Sequence, residues 1–137
     1  MARAWRGNGY GGELELRDMY SERLLDYFQH PRNPGEVANP DAAVEVENPA
    51  CGDILRLTVK VERGRIAEIR FRAQGCVPAM ACGSALTELV KGKTLAEARE
   101  LRRQELLRAV ESLPEASSHA PQLALDALRA LLKMIKT

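Results

Sequence analysis

Four side chains in this 137-residue chain could together hold a metal ion or carry sulfur chemistry: Cys51, Asp53, Cys76 and His119. The run Asn48-Pro49-Ala50-Cys51-Gly52-Asp53 sets a thiol and a carboxylate two positions apart, and its proline and glycine mark it as a loop. Cys76 follows 25 positions after Cys51, and Pro78 just beyond it suits the first turn of a helix. A thiol at a helix N-terminus is favoured as the thiolate, whether it ligates a metal or attacks a persulfide. His119 stands in a similar place, since Ser117-Ser118-His119 with Pro121 reads as the start of the last helix. Zinc accepts thiolate, carboxylate and imidazole ligands in one tetrahedral set. Plainer readings exist for each residue. A cysteine is often core, Asp53 could satisfy backbone N–H groups at a strand start, and His119 could be no more than a neighbour of a helix cap.

Bringing these residues together requires a hairpin. Ile54 to Glu62 alternates Leu55, Leu57, Val59 and Val61 against Arg56, Thr58, Lys60 and Glu62, and Arg65 to Ala73 sets Ile69, Phe71 and Ala73 against Glu68, Arg70 and Arg72. Joined through Arg63-Gly64, the two segments predict an antiparallel pair that returns Cys76 to the end where Cys51 and Asp53 lie. A third strand is expected around Ala43 to Glu47. The fold class is therefore α+β: a small antiparallel sheet of about three strands with helices on its apolar face and a wet opposite face.

Helices are expected on both sides of this sheet in sequence. Tyr20, Leu24, Leu25 and Phe28 share a helical face before His30-Pro31-Arg32-Asn33-Pro34-Gly35 stops the helix. A second helix runs from about Pro78 to Lys91, where Cys82 lies one turn before Ala85 and Leu86 and reads as core. Thr94 and Glu97 form a capping box, a further helix spans roughly Arg102 to Glu111, and Pro114 breaks it. Leu123, Ala127, Leu128, Leu131 and Ile135 make the buried stripe of the last helix. His30 ends the first helix as a solvated residue and is given no role.

The length suits one domain, residues 19–137, preceded by residues 1–18 as a leader with four glycines and a lone Trp5 that is expected to be disordered or ordered only by a partner. With 20 basic and 19 acidic residues the net charge is +1, which gives no field for nucleic acid or a membrane surface. Three cysteines without an apolar signal or spanning segment point to a reducing, cytoplasmic setting and to metal or sulfur chemistry rather than cross-linking.

The pieces Tyr20-Ser21-Glu22 through Asn33, Ala50-Cys51-Gly52-Asp53, Gly75-Cys76, Val90-Lys91-Gly92-Lys93-Thr94, and His119 before Leu123-Ala124-Leu125-Asp126-Ala127 occur in one order. In this they resemble the U-type iron–sulfur cluster scaffold family, the IscU, SufU and NifU N-terminal group. The resemblance implies an α+β scaffold, not an enzyme, on which clusters are built from iron and a sulfur donor such as a cysteine desulfurase, then passed to acceptor proteins. It also implies a third cysteine directly after the histidine, serving as persulfide acceptor and cluster ligand; here that position is Ala120. Of the family's chaperone-recognised Leu-Pro-Pro-Val-Lys segment only Leu113-Pro114 remains, which weakens the case for that contact.

Two functions follow. One is a scaffold or carrier holding iron or a labile 2Fe–2S cluster through Cys51, Asp53, Cys76 and His119, for which nitrogen ligation has precedent in Rieske centres. The alternative is a zinc-binding adaptor that modulates a sulfur donor or another scaffold without building clusters itself, since mixed Cys, His and Asp ligands suit zinc at least as well. A relay of sulfur through Cys51 or Cys76 would require a persulfide on a cysteine other than the family's acceptor.

Overall fold

The structure, a computed structural model, describes residues 19–50 and 52–135; the leader and Cys51 lie outside the described residues. A three-stranded antiparallel sheet, in the order β1 (Ala42–Asn48), β2 (Asp53–Glu62), β3 (Arg65–Gln74), backs onto the helices. The hairpin forms as its alternation predicts, with Leu57 opposite Phe71, Val59 opposite Ile69 and Ile54 opposite Gln74. Arg63 and Gly64 both have positive φ (53° and 75°), the backbone that a two-residue hairpin loop needs to match the twist of its strands.

Two departures from simple alternation have physical causes. Ile66 has the wrong parity for the face that Ile69 and Phe71 share, yet it is fully buried. A register shift at Lys60/Val61 inserts an extra residue in β3 and turns Ile66 back into the core. The outer face is also not simply wet: Thr58 is buried because the chain from Gly35 to Pro40 crosses over it, with the Val37 N–H donating to Thr58 Oγ1 at 2.9 Å and Lys60 Nζ donating to the Asn39 carbonyl at 3.2 Å. Only a tertiary contact places that loop there.

α1 (Glu22–Gln29) starts at Ser21, whose hydroxyl accepts from Leu24 N–H at 3.0 Å and donates to the Val110 carbonyl. Tyr20 thus precedes the helix, where the sequence pattern had put it on the helical face. The loop after α1 lies along the outer edge of β3: Phe71 N–H donates to the Asn33 carbonyl and Gly35 N–H to the Phe71 carbonyl. Arg32 holds this loop down. It stacks 4.6 Å from the Tyr27 ring centroid, pairs with Asp26 at 2.6 Å, and its N–H donates to the buried Ser84 hydroxyl.

α2 (Val77–Val90) is the central helix, buried on nearly every side between the sheet and the helices α1, α4 and α5. Gly83 permits this, since a Cβ there would stand 3.0 Å from both Leu55 and Phe71. The capping box of Thr94 and Glu97 opens α3 (Leu95–Arg99) as expected, and α4 (Arg103–Val110) and α5 (His119–Lys133) follow. Ile135, expected in the buried stripe, falls beyond the end of α5 and packs, partly buried, against the core. Among the described residues no helix is long and apolar enough to cross a membrane.

After α4, Glu111 adopts φ 71° and ψ −58°, and Ser112 N–H donates back to the Val110 carbonyl at 2.9 Å in a tight γ-turn. This conformation strains a residue with a Cβ by about 1–3 kcal/mol. Set against the extra unfolded-state freedom of glycine, Glu111→Gly is expected to stabilise the fold by about 1 kcal/mol. The check is a higher urea midpoint with an unchanged slope.

Candidate metal and sulfur site

Asp53 is the first residue of β2, opposite Asn48 at the end of β1, so the connection that carries Cys51 is a tight turn: Gly52 N–H donates to the Asn48 carbonyl at 2.7 Å and Ala50 N–H to Asn48 Oδ1 at 3.0 Å. β3 ends at Gln74, Gly75 turns the chain with φ 135°, and Cys76 becomes the N-cap of α2 with Pro78 behind it. α5 delivers His119 as its first residue, after a short 3-10 turn at Glu115–Ser117. The start of α5 is tied back to α4, since Arg103 donates to the Ser118 carbonyl at 2.7 Å.

These three elements converge on Asp53, whose side chain is almost wholly buried (2 % exposed). Its Oδ1 accepts the Cys76 backbone N–H at 3.1 Å, while its Oδ2 lies 3.4 Å from Cys76 Sγ and 3.2 Å from His119 Nε2. One oxygen does the structural work of capping the Cys76 N–H, which leaves the other turned to the thiol and the imidazole. One donor atom from each of Asp53, Cys76 and His119 lies within 4.8 Å of the other two, close enough to share one cation once the protons between them are displaced. Sulfur, nitrogen and carboxylate oxygen are donors that zinc and iron both accept, so the residues fit a metal.

Gly75 makes this approach possible: a Cβ there would fall on Asp53 Oδ1. No sequence pattern announces that requirement beyond the glycine itself. Tyr20 is another residue that pattern reading misplaced. It packs against the core beside the site, where burial first, and the charge of Cys76 second, push its phenol above the ordinary tyrosine range. Its signal was its place in Tyr20-Ser21-Glu22, immediately before a helix cap.

Cys82 sits in the core, as its helical spacing predicts, with no exposed surface. Burial pushes its thiol up to about 12, with the charge of Cys76 adding to the rise and Arg103 opposing it. A neutral, inaccessible thiol neither ligates nor attacks. Cys82→Ala is therefore expected to keep metal stoichiometry and cost on the order of 1–2 kcal/mol in packing. In the native protein an alkylating reagent at mildly alkaline pH should leave Cys82 unmodified until the chain unfolds; prompt labelling, or metal lost from the alanine variant, would contradict this.

The sequence matches known proteins over the same region. The family model described as the NifU-like N terminal domain matches residues 19–137. The chain belongs to this family. Among relatives of the NifU-like N-terminal domain, the iron-sulfur cluster assembly scaffold protein IscU 1 of Archaeoglobus fulgidus is 42% identical over 111 residues, which is 81% of this chain and 72% of that protein. The iron-sulfur cluster assembly scaffold protein IscU of Escherichia coli strain K12 is 39% identical over 122 residues, covering 86% of this chain and 94% of its own length. In fold, the crystal structure of a NifU-like protein (N-terminal) from Brucella abortus superposes with a TM-score of 0.69 at 22% identity, over 88% of this chain and 96% of that one. The three-stranded sheet with its helices is thus the fold of the NifU-like N-terminal domain.

Proposed function

We propose that this chain is a scaffold that receives iron and sulfide, holds a labile cluster at the rim of its sheet, and passes it on unchanged in itself. The observation that carries the reading is the convergence of Asp53, Cys76 and His119 donor atoms within 4.8 Å, in a chain of the NifU-like family. Cys51, carried in the turn before β2, is read as the fourth ligand, and residues 19–137 as the working domain behind a leader of residues 1–18. The cargo is read as a 2Fe–2S cluster, its sulfur coming as persulfide sulfur from a cysteine desulfurase or another sulfur donor and reduced to sulfide by a separate electron donor, and its destination being acceptor proteins. Relatives named as assembly scaffolds support this reading.

Within this scheme the ligands divide the labour. Thiolates of Cys51 and Cys76 bind iron firmly, His119 adds a neutral nitrogen, and the Asp53 carboxylate is the weak ligand that lets go first. A second reading, a zinc-binding adaptor that modulates a sulfur donor, is favoured by one observation: the donor set mixes sulfur, nitrogen and carboxylate oxygen, which zinc takes readily.

Elemental analysis of the isolated protein, followed by anaerobic supply of iron and sulfide under a visible spectrum, separates the two. The scaffold reading expects cluster absorption in the wild type and its loss in Cys51→Ala and Cys76→Ala. Zinc that iron and sulfide do not displace would give the site to the adaptor reading. Either occupant should raise the unfolding temperature, since a ligand at 100 times its Kd adds about 2.7 kcal/mol to the native state. Metal content and melting temperature unaltered in both cysteine variants would sink the ligand set itself.

A further inference from the structure

β1 ends the sheet, with β2 on one side and α5 packed beneath it. Among the described residues its other edge bonds to no strand or loop. Which backbone groups face that edge follows from the far side of the sheet. There the Phe71 N–H and C=O bond outward, to Asn33 and Gly35, so Phe71 makes no ladder bond to Leu57, the residue opposite it on β2. Bonded and unbonded pairs alternate along an antiparallel ladder, and a strand residue aims both its backbone groups to one side. Leu57 therefore turns its N–H and C=O to Val44, and Ala43, Glu45 and Glu47 turn theirs to the open edge. Such a row of donors and acceptors is a template for one more strand.

Side chains decide what kind of strand fits. Glu45 and Glu47 stand exposed on the outer face, while Val44 and Val46 lie half-buried against the core on the other. Among the described residues neither glutamate makes a close ion pair. Arg56, opposite Glu45, is paired with Glu36 at 2.6 Å, and the residue opposite Glu47 is the uncharged Ile54. Like charges set opposite one another on a sheet repel, and opposite charges stabilise the pair. A second copy laid antiparallel on this edge would set Glu45 against Glu45 or Glu47. The edge thus repels its own kind and stays open to a segment of the other charge.

We propose that the open edge of β1 is a docking site for an extended segment of a partner protein whose side chains alternate basic with apolar. Its basic residues fall beside Glu45 and Glu47, and its apolar ones continue the row of Val44 and Val46 on the α5 side of the sheet. β1 runs to Asn48, opposite Asp53, so a segment seated here reaches the turn that carries Cys51 and tethers its protein beside the rim. This inference stands independently of what the rim carries.

A peptide alternating lysine and valine, matched to the seven residues of β1, is the probe. In the full chain without peptide, the Ala43, Glu45 and Glu47 amides are expected to exchange with solvent far faster than that of Val44. Titrating the peptide should slow these three several-fold. Methyl groups on all its lysine backbone nitrogens, or on all its valine ones, should act differently: the set that faces β1 abolishes binding and the other leaves it. Glu45→Lys combined with Glu47→Lys should weaken the lysine peptide several-fold and admit a glutamate counterpart, with far-UV circular dichroism showing that the fold persists. Three amides already protected in the chain alone would overturn the proposal, because the edge would be covered. So would protection that grows with protein concentration, which would assign the edge to a second copy. Amides unmoved by the peptide, or equal binding of the lysine and glutamate peptides to the wild type, would overturn it as well.

Discussion

Gly75→Ala is expected to strip the rim of its metal, more completely than most ligand-neighbour changes. Two effects act at one position: φ of 135° is a backbone that residues with a Cβ rarely adopt, and the added Cβ would fall on Asp53 Oδ1. Strain and displacement together should cost about 2–4 kcal/mol of stability. The displaced carboxylate would lose its hold on Cys76 N–H and its approach to His119, and a lost orienting contact alone typically weakens metal binding about 10–100-fold. A double-mutant cycle isolates the contact from the backbone strain. In an Asp53→Ala background, Gly75→Ala should cost only the strain and the close approach of its Cβ to the residue-53 Cα at 3.0 Å, so equal costs in the two backgrounds would show that the carboxylate does not lean on Gly75.

Ala120→Cys should change the chemistry most. It restores the thiol that the family pattern sets after His119, in the first turn of α5, where the positive end of the helix dipole favours a thiolate. With three thiolates available, a reconstituted cluster should outlast that of the wild type in air, and persulfide transfer from a desulfurase should appear or rise. Decay of the visible absorption follows the first, and a mass shift on the cysteines follows the second. Ala120 is buried (1 % exposed), so the extra sulfur must find room in a packed turn, at a cost of about 1–3 kcal/mol. A urea titration separates that packing cost from the chemistry. Equal lifetimes and equal transfer in the two proteins would absolve Ala120 and turn preference to the zinc adaptor.

What could be read beforehand was local. The alternation of Leu55, Leu57 and Val59 against Ile69, Phe71 and Ala73 carried the hairpin and its register, and that register alone brings Asp53 beside Cys76. Capping signals were equally direct, as Thr94 and Glu97 show. His119 lies 66 positions from Asp53, and its arrival depends on where α5 packs, which the family pattern implied and local spacing could not. The misreadings share one cause. Thr58 is covered by a loop from 21 residues earlier, and Tyr20 is set outside α1 by Ser21, whose hydroxyl caps the helix and also reaches the Val110 carbonyl. Each is settled by contacts between distant segments, to which a period of two or 3.6 is blind. The closeness of Gly75 to Asp53 is of the same kind.

The contacts of Asp53 span 23 positions to Cys76 and 66 to His119. Donors so far apart along the chain meet only after long loops have closed, late in the search for the native state. A metal caught there binds a chain that is already collapsed, so its grip should be felt in the rate of unfolding rather than in the rate of folding. Loaded and empty molecules would then be born at one pace and die at different ones. Handing over the cargo would restart the clock on the protein itself, leaving the emptied molecule the shorter-lived in a cell where proteases sample whatever opens.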